Sequence, residues 1–98
     1  MARLVLRQEA INDLSDIWEY TSETWSENQA DKYYQAIKSA CIDLSNKPNM
    51  GKPYVEISSK ILGYSINKHI IFYHENSDEE IEVVRILHER MDLKRHLK

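Results

Sequence analysis

The spacing of apolar residues changes at Pro48, and this constrains the fold more than any other feature of the chain. From Gln8 to Thr24, Ile11, Leu14, Trp18 and Thr21 recur every three or four residues, with Ile17 alongside. Asp13, Asp16, Glu19 and Glu23 fall on the opposite, solvated side, the pattern of an amphipathic helix. A second stripe runs through Ala30, Tyr33, Tyr34, Ile37, Ala40, Cys41 and Leu44. Ser26 and Gln29 have capping-box spacing, so the second helix opens there. Pro48 pushes its predecessor out of the α region, which ends that helix near Asn46. The two helices form a hairpin with a very tight turn.

Beyond Pro48 the texture is that of strands. Asn49 to Pro53 reads as a turn, and residues 54–62 are a connection without a clear period. Tyr64–Ile66, His69–His74 and Ile81–His88 are rich in β-branched and aromatic residues. Asn67-Lys68 and Asn76 to Glu80 are their hairpin connections. With Leu4-Val5-Leu6 as a first strand, the order is β-α-α-β-β-β. The fold class is α+β: one domain over residues 1–98, a helical hairpin packed on a small, mainly antiparallel sheet. Ile70 and Phe72 alternate with Ile71 and Tyr73, so the strands are apolar on both sides. One helical hairpin covers one face. The other face or an edge is expected to await another chain.

Composition then removes functions. The two glycines, Gly51 and Gly63, stand apart, which excludes a Walker loop and a dinucleotide-binding fingerprint, so no nucleotide cofactor is expected. Thirteen basic residues face 16 acidic ones, a net charge of −3, which disfavours direct binding to DNA. The acids concentrate in residues 1–46, whereas Arg90, Lys94, Arg95 and Lys98 crowd the C-terminus. One cysteine, Cys41, permits neither an internal disulfide nor a thiolate zinc cluster, and its place on the second stripe reads as core. The apolar run Leu4–Leu6 is too short for a signal peptide or a membrane span, so a cytoplasmic protein is expected.

Two constellations carry potential chemistry. His88-Glu89-Arg90-Met91-Asp92 superficially resembles a zinc-protease helix, but it leaves a strand and no helical stripe precedes it, so no metal is expected. His69, His74, Arg85 and His88 are candidates for an acid–base site on the sheet. Alternation places Arg85 and His88 on opposite faces unless a bulge intervenes, which favours Arg85 as the partner of a carboxylate within the domain. Tyr33 and Tyr34 read as core and core edge, because acidic residues surround them.

These residues also form a pattern. Ala10, Asp13-Leu14, Ile17, Tyr20-Thr21 and Trp25 are followed by Gln29-Ala30, Tyr33, Leu44, Pro48 and Gly51. Then come His69, Ile71-Phe72-Tyr73 and Arg85-Ile86-Leu87-His88-Glu89-Arg90-Met91-Asp92. Over nearly the whole chain this resembles the ParE toxins of bacterial toxin–antitoxin systems, within the RelE/ParE superfamily. The most specific part is Arg-Ile-Leu-His-x-Arg-Met-Asp.

The resemblance implies an inhibitor of DNA gyrase that blocks replication and is not an enzyme. It implies neutralisation by a ParD-like antitoxin, whose ribbon-helix-helix domain binds operator DNA, so that the toxin meets that DNA only indirectly. In this reading Arg85, His88, Arg90, Met91, Asp92, Lys94 and Arg95 are candidates for contact with the target. Ile71, Tyr73, Val83 and Leu87 are candidates for contact with the antitoxin. The sister branch of RelE-like ribonucleases is the alternative, since His88 lies close to the catalytic histidine of some of them. Against it stand Glu89, where an aromatic is expected, and the lack of a basic cluster on strands 64–74. A non-toxic corepressor remnant is the third reading.

Overall fold

A computed structural model describes residues 2–91. Strand β1 (Arg3–Leu6) leads into helices α1 (Gln8–Thr24) and α2 (Glu27–Asn46). Ser26 caps α2 by accepting a hydrogen bond from the Gln29 amide, at 3.0 Å. A 3₁₀ turn at Pro48–Met50 follows, then β2 (Lys52–Pro53), β3 (Leu62–Ile66), β4 (His69–Ser77) and β5 (Glu80–His88). The sheet order is β1-β5-β4-β3-β2, with β1 parallel to β5 and every other pairing antiparallel. Two helices on one face of a mixed five-stranded sheet make the α+β fold expected from the sequence.

β2 is the strand that sequence reading missed. It lies within the expected turn at 49–53 and pairs with Leu62 and Gly63 at the sheet edge, where a proline is tolerated because nothing outside needs its missing N–H. The Tyr54 ring lies so close to Gly63 that a Cβ there would overlap it. The β3–β4 hairpin turns at Asn67-Lys68, with Asn67 in the left-handed region at φ 52°, which asparagine tolerates.

The helix-facing core joins Ala10 and Leu14 of α1, Ile37, Ala40, Cys41 and Leu44 of α2, and Ile71, Tyr73, Ile81, Val83 and Ile86 of the sheet. The α2 stripe is the one read from the sequence. The α1 stripe is rotated from it: Ala10, Leu14 and Thr21 are buried, whereas Ile11 remains 46% exposed. The helix meets the sheet along its smallest side chain, and hydropathy alone favours the larger neighbour.

The far face is not bare. Tyr54, Ile57 and Ile61 from the connection after β2 pack over Ile70, Phe72, Val84 and Leu87, with the Tyr54 and Phe72 rings edge to face at 5.1 Å. The expectation of an uncovered sheet face is therefore corrected: the segment without a clear period folds back and covers it.

Candidate functional site

Beyond Leu6, β1 no longer accompanies β5, so the edge of β5 from Val84 onward has no strand beside it. Asp13 of α1 fills that role. Its carboxylate accepts the Ile86 amide at 2.9 Å and takes two Arg85 guanidinium nitrogens at 2.8 and 2.9 Å. Asp13 was expected on the solvated side of α1, and a carboxylate in helical register with solvated acids carries no mark of a buried partner. Arg85 meets an internal carboxylate, as alternation suggested, and Asp13 holds its guanidinium further toward the charged form. A bulge leaves Val84 unpaired between the Tyr73–Val83 and Phe72–Arg85 pairs, and it precedes Arg85.

At the far end of the same strand, His88 sits directly across from His69 on β4, with the imidazole rings edge to face at 5.3 Å. The Tyr33 hydroxyl of α2 lies 2.6 Å from His69 Nδ1 and 3.3 Å from the Ile66 carbonyl. Burial, and then the neighbouring His88, hold His69 below the ordinary histidine range, while burial pushes the Tyr33 phenol up. His88 Nδ1 accepts the Arg90 amide at 3.1 Å, which leaves Nε2 as the ring's donor position. The Glu89 amide donates to the Lys68 carbonyl at 2.8 Å, tying the end of β5 to the β3–β4 turn. His74 takes no part here; its Nε2 lies 2.8 Å from Glu82 on another part of the sheet.

These groups line an open cleft of about 910 Å³ between the helical hairpin and the His69–His88 end of the sheet. Ile17, Ala36 and Ile86 contribute apolar lining. Tyr20 and Trp25, at the hairpin tip, also line it and stand 68% and 75% exposed. Lys32 and Lys68, the acids Asp13 and Asp16, and Met91 also line it. Sequence reading singled out His69 and His88 but missed Trp25, Lys32 and Lys68 as partners of one surface. Trp25 did carry a signal, an aromatic at the helix turn and off both apolar stripes.

The remaining candidates separate. Arg90 and Met91 are exposed beyond β5. Asp92, Lys94 and Arg95 lie outside the described residues. Ile71, Tyr73, Val83 and Leu87, expected to meet a partner, are all buried inside this chain, the first three under the helices and Leu87 under the 54–61 segment. The apolarity that marked them was that of a core. Cys41 is also interior, with burial pushing its thiol up to about 11, the opposite of an activated nucleophile. Residues 88–91 form a strand end and turn, not the helix a zinc-protease motif needs. Among the described residues, no three His, Cys, Asp or Glu groups converge to hold a metal. No helix among them is long and apolar enough to cross a membrane.

Comparison with known proteins places this geometry in context. Residues 4–93 match the family model described as the ParE toxin of the type II toxin–antitoxin system parDE. Toxin ParE1 of Mycobacterium tuberculosis is 32% identical over 96 residues, covering 98% of each chain. Toxin ParE1 of Caulobacter vibrioides is 28% identical over 92 residues, covering 94% of each. In fold, the chain resembles a solved chromosomal ParDE system from P. aeruginosa with a TM-score of 0.79 at 19% identity, covering 90% of this chain and 96% of that one. It also resembles a chain of the RelBE2 toxin–antitoxin complex from M. tuberculosis, with a TM-score of 0.69 at 16% identity, covering 89% and 96%.

Proposed function

The chain belongs to the ParE toxins of type II toxin–antitoxin systems, and from that membership we propose that it arrests growth by inhibiting DNA gyrase in the cytoplasm. It acts by binding, not by catalysis, and a ParD-like antitoxin holds it inactive. Operator DNA is engaged only through the antitoxin. The observation that carries this reading is the family match over residues 4–93, which includes the Arg85–Asp92 motif.

The distribution of cations supports it. Arg85 is engaged by Asp13 within the fold, so its part in target contact is to hold the end of β5 in place. The groups free to meet a protein or gyrase-held DNA are Arg90 and Met91, followed in sequence by Asp92, Lys94 and Arg95. His88 is half-buried beside them. Contacts of this kind act mainly through on-rate and fade with salt.

A second reading has one observation in its favour. His69, His88 and the Tyr33 hydroxyl share a cleft, and imidazoles beside a phenol are groups that move protons during RNA cleavage. Purified gyrase supercoiling, run beside in vitro translation, separates the two. The full chain is expected to block supercoiling and spare translation, and truncation after Asp92 is expected to abolish that block. Ribosome-dependent mRNA cuts with gyrase unaffected would assign the protein to the ribonuclease branch.

A further inference from the structure

We infer that the His69–His88 pair is a pH-sensitive latch on the turn at residues 88–91, closed while His88 Nδ1 carries no proton and opened when one reaches it.

Three hydrogen bonds hold that turn. The Glu89 amide donates to the Lys68 carbonyl at 2.8 Å, and the Met91 amide to the His88 carbonyl at 3.0 Å. Neither acceptor titrates. The third bond runs from the Arg90 amide to His88 Nδ1 at 3.1 Å, and an imidazole nitrogen accepts only while it holds no proton. A proton on Nδ1 sets one donor against another, so this bond must open. The same contact, from a side chain to the amide two residues on, is made by asparagine or aspartate in an Asx turn. Here a histidine makes it, the residue type whose ordinary titration lies nearest neutrality. The turn carries the exposed Arg90 and Met91, which the reading above directs toward the target.

His69 is the other half of the device. It faces His88 across the strands with the rings edge to face at 5.3 Å, and the Tyr33 hydroxyl, 2.6 Å from its Nδ1, fixes the ring. Its own protonation breaks nothing. Nδ1 then donates to the Tyr33 oxygen, whose hydrogen turns to the Ile66 carbonyl at 3.3 Å. Two cationic imidazoles in contact repel, so the pair takes up its protons in two steps.

The remaining charges around the pair are mixed. Asp13, engaged by Arg85, and Asp16 lie on α1, Lys32 on α2 and Lys68 in the β3–β4 turn. Glu89 and Arg90 follow His88 directly. Glu89 and Asp13 favour charge on His69, but burial and then His88 outweigh them and hold it below the ordinary histidine value of 6.5. As the pH first falls below that value, a still neutral His69 does not oppose a proton at His88 Nδ1.

Nuclear magnetic resonance of the full toxin, titrated from about pH 7.5 to about pH 5, reads the latch at the Arg90 amide. In the wild type its signal is expected to move in step with the His88 ring. Its protection from exchange, corrected for intrinsic rates, is expected to fall roughly two- to tenfold, the loss of one hydrogen bond. The Glu89 amide stays protected. His88→Asn supplies an acceptor that does not titrate, so the Arg90 amide is expected to stay protected throughout, while the His69 midpoint rises for want of a like-charged neighbour. His88→Ala leaves that amide unprotected at every pH, and thermal melts confirm that both variants fold. A wild-type Arg90 amide indifferent to the titration of His88 would overturn the inference, and no variant is needed to see it. So would a His88→Asn protein that loses protection on acidification as the wild type does. The turn is observed without gyrase, so failure here leaves the reading of the target untouched.

Discussion

Along the second half of α2, Ile37, Ala40, Cys41 and Leu44 are buried in one cluster with Ile71, Tyr73, Ile81 and Val83 of the sheet. At the other end of the same hairpin, Tyr20 and Trp25 stand exposed beside a cleft that reaches His69 and His88. The two ends differ in what their side chains do. The sealed end satisfies its apolar residues within the chain and supplies stability. The open end leaves aromatic rings, lysines and imidazoles facing solvent, an arrangement suited to binding. Between them stands Asp13, which joins α1 to β5 through Arg85 and the Ile86 amide.

The largest expected effect tests that contrast directly. Ile37 is fully buried, so Ile37→Ala is expected to cost about 2–5 kcal/mol. Trp25→Ala removes a larger side chain but, from an exposed site, is expected to change stability by about 0.5 kcal/mol or less. Urea denaturation of the two variants measures both. Equal losses would mean that the hairpin tip is as much core as its middle.

Asp13 comes next. Asp13→Ala strands the Ile86 amide and leaves the half-buried Arg85 guanidinium without this carboxylate, a loss expected at about 1–3 kcal/mol. Asp16→Ala, three residues on and exposed, is expected to stay within about 0.5 kcal/mol. A loss at Asp13 no greater than at Asp16 would show that the ion pair does not hold the two ends together.

The smallest effect concerns pH. His69 lies below the ordinary histidine value of 6.5, because burial and then His88 disfavour its charge. As pH falls through 6.5 the unfolded chain takes up the proton first, so the stability that His69 supports is complete above that value. It declines as pH drops toward the folded pKa and levels off once both states are protonated. Melting temperatures of the wild type and His69→Gln, compared above and below 6.5, are expected to diverge at the higher pH and converge at the lower. Parallel curves would place His69 in a solvated setting and not in the half-buried one beside Tyr33 and His88.

Local patterns were enough for the elements. The spacing of Ala30 through Leu44 set the buried face of α2, Ser26 its start and Pro48 its end, because period, capping and proline geometry act over a few residues. The ordered pattern from Ala10 to Asp92, with Arg85 to Asp92 its most specific part, pointed to the family whose model matches residues 4–93. What the chain folds into and which proteins it resembles were therefore legible without coordinates.

The site was not, because its members come from segments whose juxtaposition no local rule states. Asp13 looks like its solvated neighbours until α1 is laid beside the unpaired edge of β5. Ile71, Tyr73, Val83 and Leu87 look like an interface until the helices and the 54–61 segment close over them. Trp25, Lys32, Lys68 and His88 become one surface only when the hairpin tip is carried over the end of the sheet. Sequence by itself determined the period, the breaks and the family, each encoded within a few residues or in their order. Tertiary structure alone decided which apolar residues were core and which charges were free, since both depend on what packs against a residue and not on what precedes it.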